Sequence, residues 1–194
     1  AAEHASYVLS LAPLNILGLK LAGKEVDRHI LNPNMLIDVS LEYANAGFYE
    51  EAITLLGQNR FNFPLIGYYQ AYFAAKAGLS CKNYLEQAAS CSPDCCFPNR
   101  LEDIKVLRFA MEQNPADFKA PYYLGNLFYD KERHEDAIRC FETSIALGCS
   151  FATPYRNLSL LTYNVRHDAA KALELLSAAF SMDKEDARVL YELD

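Results

Sequence analysis

Tryptophan is absent from this chain, glycine and proline number only eight each, and no uninterrupted apolar run approaches the ~20 residues that span a bilayer as a helix. Each shortage removes a class of protein. Without a long apolar run there is no candidate membrane-spanning helix. The glycines and prolines stand singly between apolar-periodic stretches, so they mark short connections and exclude a long flexible or low-complexity linker. Basic residues are also in deficit, with a formal net charge of -7. A nucleic-acid partner would need a basic face that releases counterions, and groupings such as Lys105 and Arg108 are interrupted by Glu102, Asp103 and Glu112, as on a solvated helix face. The start, Ala1-Ala2-Glu3-His4, has neither an initiator Met nor the basic region of a secretory signal, and it reads as a cut inside a longer chain.

What is present describes an ordered protein, 52% hydrophobic and 22% charged. Six cysteines could form a disulfide framework, but a chain this long and apolar needs no staples, and adjacent Cys95 and Cys96 suit few bridges. A reducing, cytoplasmic home is expected, with Cys140 and Cys149 as small buried hydrophobes.

Internal periodicity is the strongest signal. The clearest unit runs over residues 118–151: a first helix with Tyr122, Leu124, Gly125 and Phe128, a polar turn over residues 130–134, and a second helix with Ala137, Phe141 and Ser144. The second-helix signature places small or apolar residues at i, i+4 and i+7, with a helix stop five residues later. It recurs at Ala1, Ala5, Val8 and Pro13; at Ala52, Leu56, Asn59 and Pro64; and at Cys81, Leu85, Ala88 and Pro93. Two further occurrences are Asp103, Leu107, Ala110 and Pro115, with Asp103 out of pattern, and Ala172, Leu176, Ala179 and Lys184. Small residues at Gly125 and Ala137 let two helices approach closely, and Leu124, Phe128 and Phe141 fill the seam between them.

The order Pro121, Leu124, Gly125, Phe128, Ala137, Phe141 and Cys149 resembles the tetratricopeptide (TPR) pattern, with Cys149 in the closing proline's place. The resemblance implies an all-α, TPR-like α-solenoid, a right-handed superhelix of antiparallel helix pairs. Helices are expected near 1–11, 14–22, 24–31, 34–46, 48–58, 64–78, 80–91, 99–113, 119–131, 134–147, 153–164, 168–182 and 185–194, about a dozen in all and forming one solenoid over 1–194. Gly23, Gly47, Gly78 and Gly148 sit at helix ends, and Thr153-Pro154 reads as N-cap plus first helical residue. The array should be irregular at 14–31, and at 94–115, where one helix stands in place of two. The runs Tyr122-Tyr123-Leu124-Gly125-Asn126-Leu127 and Val189-Leu190-Tyr191-Glu192-Leu193-Asp194 resemble the C-terminal repeats of large bacterial proteins of the DUF5107 type, which implies an association with carbohydrate enzymes.

Catalytic signatures are missing: there is no G-x-S-x-G, no H-E-x-x-H and no Gly-rich phosphate loop. The acidic pairs Glu50-Glu51 and Glu135-Asp136 fall at second-helix starts, where they favour the helix dipole. Cys91, Cys95 and Cys96 lack zinc-knuckle spacing and a neighbouring histidine, so no metal and no cofactor is expected; oxidation of exposed loop thiols is their expected chemistry.

The function implied is a non-catalytic scaffold that binds a protein, a peptide or another domain of its parent chain. The alternative is an accessory module whose aromatic groove contacts glycan. Candidate groove contacts are Tyr68, Tyr72, Tyr122, Asn126, Arg156, Asn157 and Arg188. Asn126 and Asn157 fall on the amide positions of a TPR carboxylate clamp and Arg188 on one basic position. Tyr122 and Glu192 replace the other two basic residues, so a carboxylate would meet an acid. The asparagines equally suit polar, hydrated groove positions, and most of the tyrosines suit the helix seams. At the chain's end Val189, Leu190, Tyr191 and Leu193 form an apolar stripe with no second helix to cover it. This predicts truncation of a longer array, and either fraying of the last helix or self-association through it.

Overall fold

The computed structural model describes residues 2–11, 18–19, 22–23, 32–59 and 61–194. Eleven helices and no strands are found among them: α1 Ala2–Leu11, α2 Pro33–Asn45, α3 Tyr49–Leu56, α4 Pro64–Lys76, α5 Lys82–Ser90, α6 Leu101–Gln113, α7 Lys119–Asp130, α8 His134–Ala146, α9 Thr153–Asn164, α10 Ala169–Met182 and α11 Ala187–Leu193. Each end lies within two residues of its predicted place. The segment expected at 24–31 lies outside the described residues, and most of the one expected at 14–22 does too. No helix among the described residues is long and apolar enough to cross a membrane.

Contacts divide the chain into two compact units, residues 1–84 and 85–194. In the first, α2 packs on α3 and α3 on α4. Asn32 starts α2, its Oδ1 accepting from the Met35 N–H at 2.9 Å, with Pro33 as the first helical residue. The core is built from Leu36, Ile37, Ala52, Leu56, Leu65, Tyr68, Tyr69 and Phe73, all at most 2% exposed. The rings of Tyr69 and Phe73 stand 5.7 Å apart, one turn from each other on α4.

In the second unit successive helices pack in order from α6 to α11, and the closest pairs are α7 with α8 and α9 with α10. These are the antiparallel helix pairs of the TPR-like fold, and their seams hold the residues the repeat frame selects. Ala137, Phe141 and Ser144 are fully buried on α8; Ala172, Leu176 and Ala179 occupy the same places on α10, and Leu107 and Ala110 on α6. Gly125 explains the tight seam between α7 and α8, since a Cβ there would lie 2.7 Å from Phe141 Cε1. Ser144 Oγ donates to the carbonyl of Phe118, the cap residue of α7, at 2.7 Å, and Ser159 Oγ donates to the Ala172 carbonyl at 2.7 Å, so each pair is tied by a side-chain-to-backbone hydrogen bond.

The turns have a common conformation. Gly47 after α2 and Gly148 after α8 adopt φ of +86° and +87°, the left-handed closure of a helix end. After α7 the same role falls to Glu132 at φ +57°, where a side chain makes the conformation costly.

Three sequence expectations are corrected. Asp103 does not lie on a solvated face: it is fully buried, and its Oδ2 accepts the backbone N–H groups of Asn99 and Arg100, both at 2.9 Å. It therefore closes the irregular, non-helical segment over residues 91–100, which stands where a first helix would precede α6. Thr153 is not the cap of α9 but its first residue, the cap position being Ala152. In the first occurrence of the second-helix signature Ala5 is 2% exposed, but Val8 is 38% exposed, so on α1 only part of the pattern packs.

Candidate functional site

The polar candidates of the second unit gather on the first helices of successive pairs, α7, α9 and α11. Helical spacing does this locally: Tyr122 and Asn126 are one turn apart on α7, Arg188 and Glu192 one turn apart on α11, and Arg156 and Asn157 are adjacent near the start of α9. Stacking of the pairs then joins the helices. Asn157 Nδ2 donates to Asn126 Oδ1 at 3.0 Å, Arg156 Nη1 donates to Asn157 Oδ1 at 3.4 Å, and Arg156 Nη2 donates to Glu192 Oε1. The result is a continuous polar ladder across three helices.

This ladder is not fully satisfied. Arg156 Nε and Glu192 Oε2 are buried and have no hydrogen-bond partner, whereas the Asn126 amide faces the Tyr122 hydroxyl. A buried polar atom left unpaired costs about 1–3 kcal/mol, so the arrangement is poor if its purpose is only to hold helices together. The side chains of Arg156 and Glu192 are 18% and 15% exposed.

Beside the ladder, between Pro93 and Asp94 of the 91–100 segment and the starts of α9 and α11, lies a pocket of about 340 Å³. Tyr122 and Phe151 form its aromatic wall, edge to face with centroids 4.9 Å apart. Burial raises the Tyr122 pKa, and the neighbouring Asn126 amide offsets part of that rise, so the phenol stays neutral. Asp186 caps α11, its Oδ1 accepting from Arg188 N at 2.9 Å. It also takes the Arg188 guanidinium in a fork, at 3.0 Å from Nε and 2.7 Å from Nη2. That hydrogen bonding from Arg188 holds the Asp186 carboxyl down at about 2 against the opposing effect of burial.

The structure thus brings together Tyr122, Asn126, Arg156, Asn157 and Arg188 within the second unit. Arg188 is engaged by its own neighbour Asp186, and the acid at Glu192 is matched by Arg156. Tyr68 and Tyr72 belong to the first unit. Tyr68 is wholly buried and is a packing residue, a correction to its nomination as a groove contact. Tyr72 is half-buried, with the Lys76 ammonium 5.4 Å from its ring centroid.

Sequence reasoning missed the Arg156–Glu192 pair and the Asp186 cap. The signal was the repeat itself: Asn126 and Asn157 are 31 residues apart and Arg156 and Glu192 are 36 apart, both near one repeat length, so equivalent helices carry them past one another.

Of the cysteines, Cys140 and Cys149 are buried as expected, and burial pushes Cys140 up to about 11 and raises Cys149 as well. Cys96 is also buried, which corrects its place among the exposed loop thiols, whereas Cys95 is exposed. No three potential metal ligands converge among the described residues.

No family model matches the chain. Among solved structures it is similar to MamA from Desulfovibrio magneticus RS-1, at 18% identity over 95% of this chain and 94% of that one, with a TM-score of 0.43. It is similar to YrrB, a TPR protein with an unusual peptide-binding site, at 15% identity over 99% and 98%, with a TM-score of 0.41. A thermophilic TPR protein of Thermus thermophilus matches at 15% identity over 84% of this chain and 97% of that one, with a TM-score of 0.40. The fold class rests on the helix pairing described above.

Proposed function

We propose that this chain is a non-catalytic binding module, and that α7, α9 and α11 hold an extended peptide segment, from a separate protein or from another part of a parent chain. The observation that carries this reading is the incompletely satisfied ladder. When these partly exposed side chains turn outward, Arg156 Nε offers a hydrogen bond and Glu192 Oε2 can accept one. An extended peptide supplies the complement from its main chain, a carbonyl for the donor and an N–H for the acceptor, without needing a particular side chain. Because Arg156 and Glu192 neutralise each other, the ladder suits an uncharged peptide group better than a terminal carboxylate.

The test uses fluorescence polarisation with a labelled pool of short degenerate peptides, acetylated and amidated to remove terminal charge. Arg156→Ala, which removes the Nε donor, should weaken binding of the whole pool by roughly tenfold, the loss of one to two hydrogen bonds, with the folded state checked by far-UV circular dichroism. Binding unchanged in Arg156→Ala would refute the assignment.

The glycan-contacting alternative, and with it the narrower affiliation to DUF5107-type arrays, needs flat tyrosine faces open in a line. Tyr68 is buried and the Tyr122 ring is 5% exposed and set against Phe151, so the geometry does not favour it.

A further inference from the structure

We infer that the pocket beside the ladder selects a basic side chain, lysine or arginine, on the bound peptide; this rests on the peptide reading above and names its specificity. The pocket has the two components that recognise an organic cation. Its accessible wall is aromatic and thioether, from Phe151 and Met182 with Tyr122 packed against Phe151, and such surfaces take up the alkyl stem of a long side chain and attract its charged head through the ring quadrupole. Its rim is acidic. Asp94, Asp183 and Asp186 all line it, against one cation, Arg188. Arg188 is already forked onto Asp186, which leaves Asp94 and Asp183 without a basic partner among the described residues.

Both of these carboxylates are held in place by local hydrogen bonds. Asp94 Oδ2 accepts from Ser92 Oγ at 2.6 Å, and Asp183 Oδ1 accepts from the Glu185 N–H at 3.0 Å. Each therefore keeps acceptor capacity to offer a ligand. The pocket joins the ladder through Tyr122, which lines the first and sits one helical turn from Asn126 in the second. A peptide lying on the ladder thus places a side chain beside the pocket mouth. The chain's net charge of -7 adds a long-range attraction for a basic segment.

The experiment is a positional scan with acetylated, amidated peptides, degenerate except at one fixed position, which is occupied in turn by lysine, arginine, alanine and glutamate. Lysine and arginine should bind about fivefold to tenfold more tightly than alanine, and glutamate more weakly. The double substitution Asp94→Asn with Asp183→Asn preserves both local hydrogen bonds and removes the charge; it should abolish the preference while the alanine-fixed pool still binds. A control, Glu102→Gln with Glu112→Gln, removes the same net charge from exposed positions on α6 and should leave the preference intact. Equal binding of lysine, alanine and glutamate, or an equal loss of preference in the control, overturns the inference while leaving the peptide reading standing. Absence of binding by every pool overturns both.

Discussion

Replacing Gly125 by alanine sets two effects of comparable size against each other, and the structure says which wins. In the middle of a helix, glycine to alanine stabilises by about 0.5–1 kcal/mol because less backbone entropy is lost on folding. Here the new Cβ would stand 2.7 Å from Phe141 Cε1 and 2.9 Å from Cδ1, and the Phe141 ring is fully buried with little room to retreat. Overpacking of this kind costs about 1–3 kcal/mol. The net expectation is a loss of about 0–2.5 kcal/mol, with a fall in Tm of about 2–4 °C for each kcal/mol in a chain of this size; Gly125→Leu should cost more. The sign isolates the cause. In a Phe141→Leu background the clashing ring atoms are gone, so the same Gly125→Ala change should become neutral or stabilising, with a coupling energy of about 1 kcal/mol or more between the two sites. Urea denaturation of the four proteins, followed by far-UV circular dichroism, measures the cycle. If Gly125→Ala shifts stability by the same amount in both backgrounds, the close approach of α7 and α8 at this point is wrong.

Two further outcomes follow from the turns and the caps. Glu132 is exposed and holds φ +57° in the turn between α7 and α8, so Glu132→Gly should relieve the left-handed strain and stabilise by up to about 1 kcal/mol; a lower Tm would refute the strain. The folded Asp186 carboxyl titrates at about 2, below the ~3.9 of an unfolded aspartate. Its contribution to holding α11 is therefore present above the unfolded value and is lost as pH falls through the folded one. The protection of α11 amides, taken relative to their intrinsic exchange at each pH, should fall on acidification across that window in the parent protein, and Asp186→Asn should flatten the dependence; an unchanged acid response in the variant would remove Asp186 as its source.

The helices were legible because each depends on its own residues. The second-helix anchors are small or apolar at fixed spacing, and burial of Ala137, Phe141, Ala172, Leu176 and Ala179 follows from that spacing alone. Likewise the left-handed glycines at helix ends reflect a preference of the single residue. Asp103 shows where such reasoning stops. A carboxylate among charged neighbours reads as solvent-facing until the chain before it, residues 91–100, is seen to be non-helical and to present two N–H groups to it. The fate of that side chain is decided by backbone outside its own helix.

The candidate site was half-legible for the same reason. Asn126, Asn157 and Arg156 could be nominated because first-helix positions recur, but whether a polar residue is engaged depends on what the next repeat brings opposite. Arg188 was a free cation on paper and is taken by Asp186; Glu192 was an unmatched acid and meets Arg156. Both corrections act on electrostatics in one direction: they remove net charge from the ladder and leave the surplus of carboxylates in the pocket beside it. A partner reading this surface would therefore be held along its main chain by neutral hydrogen-bonding groups, and distinguished at one side chain by charge.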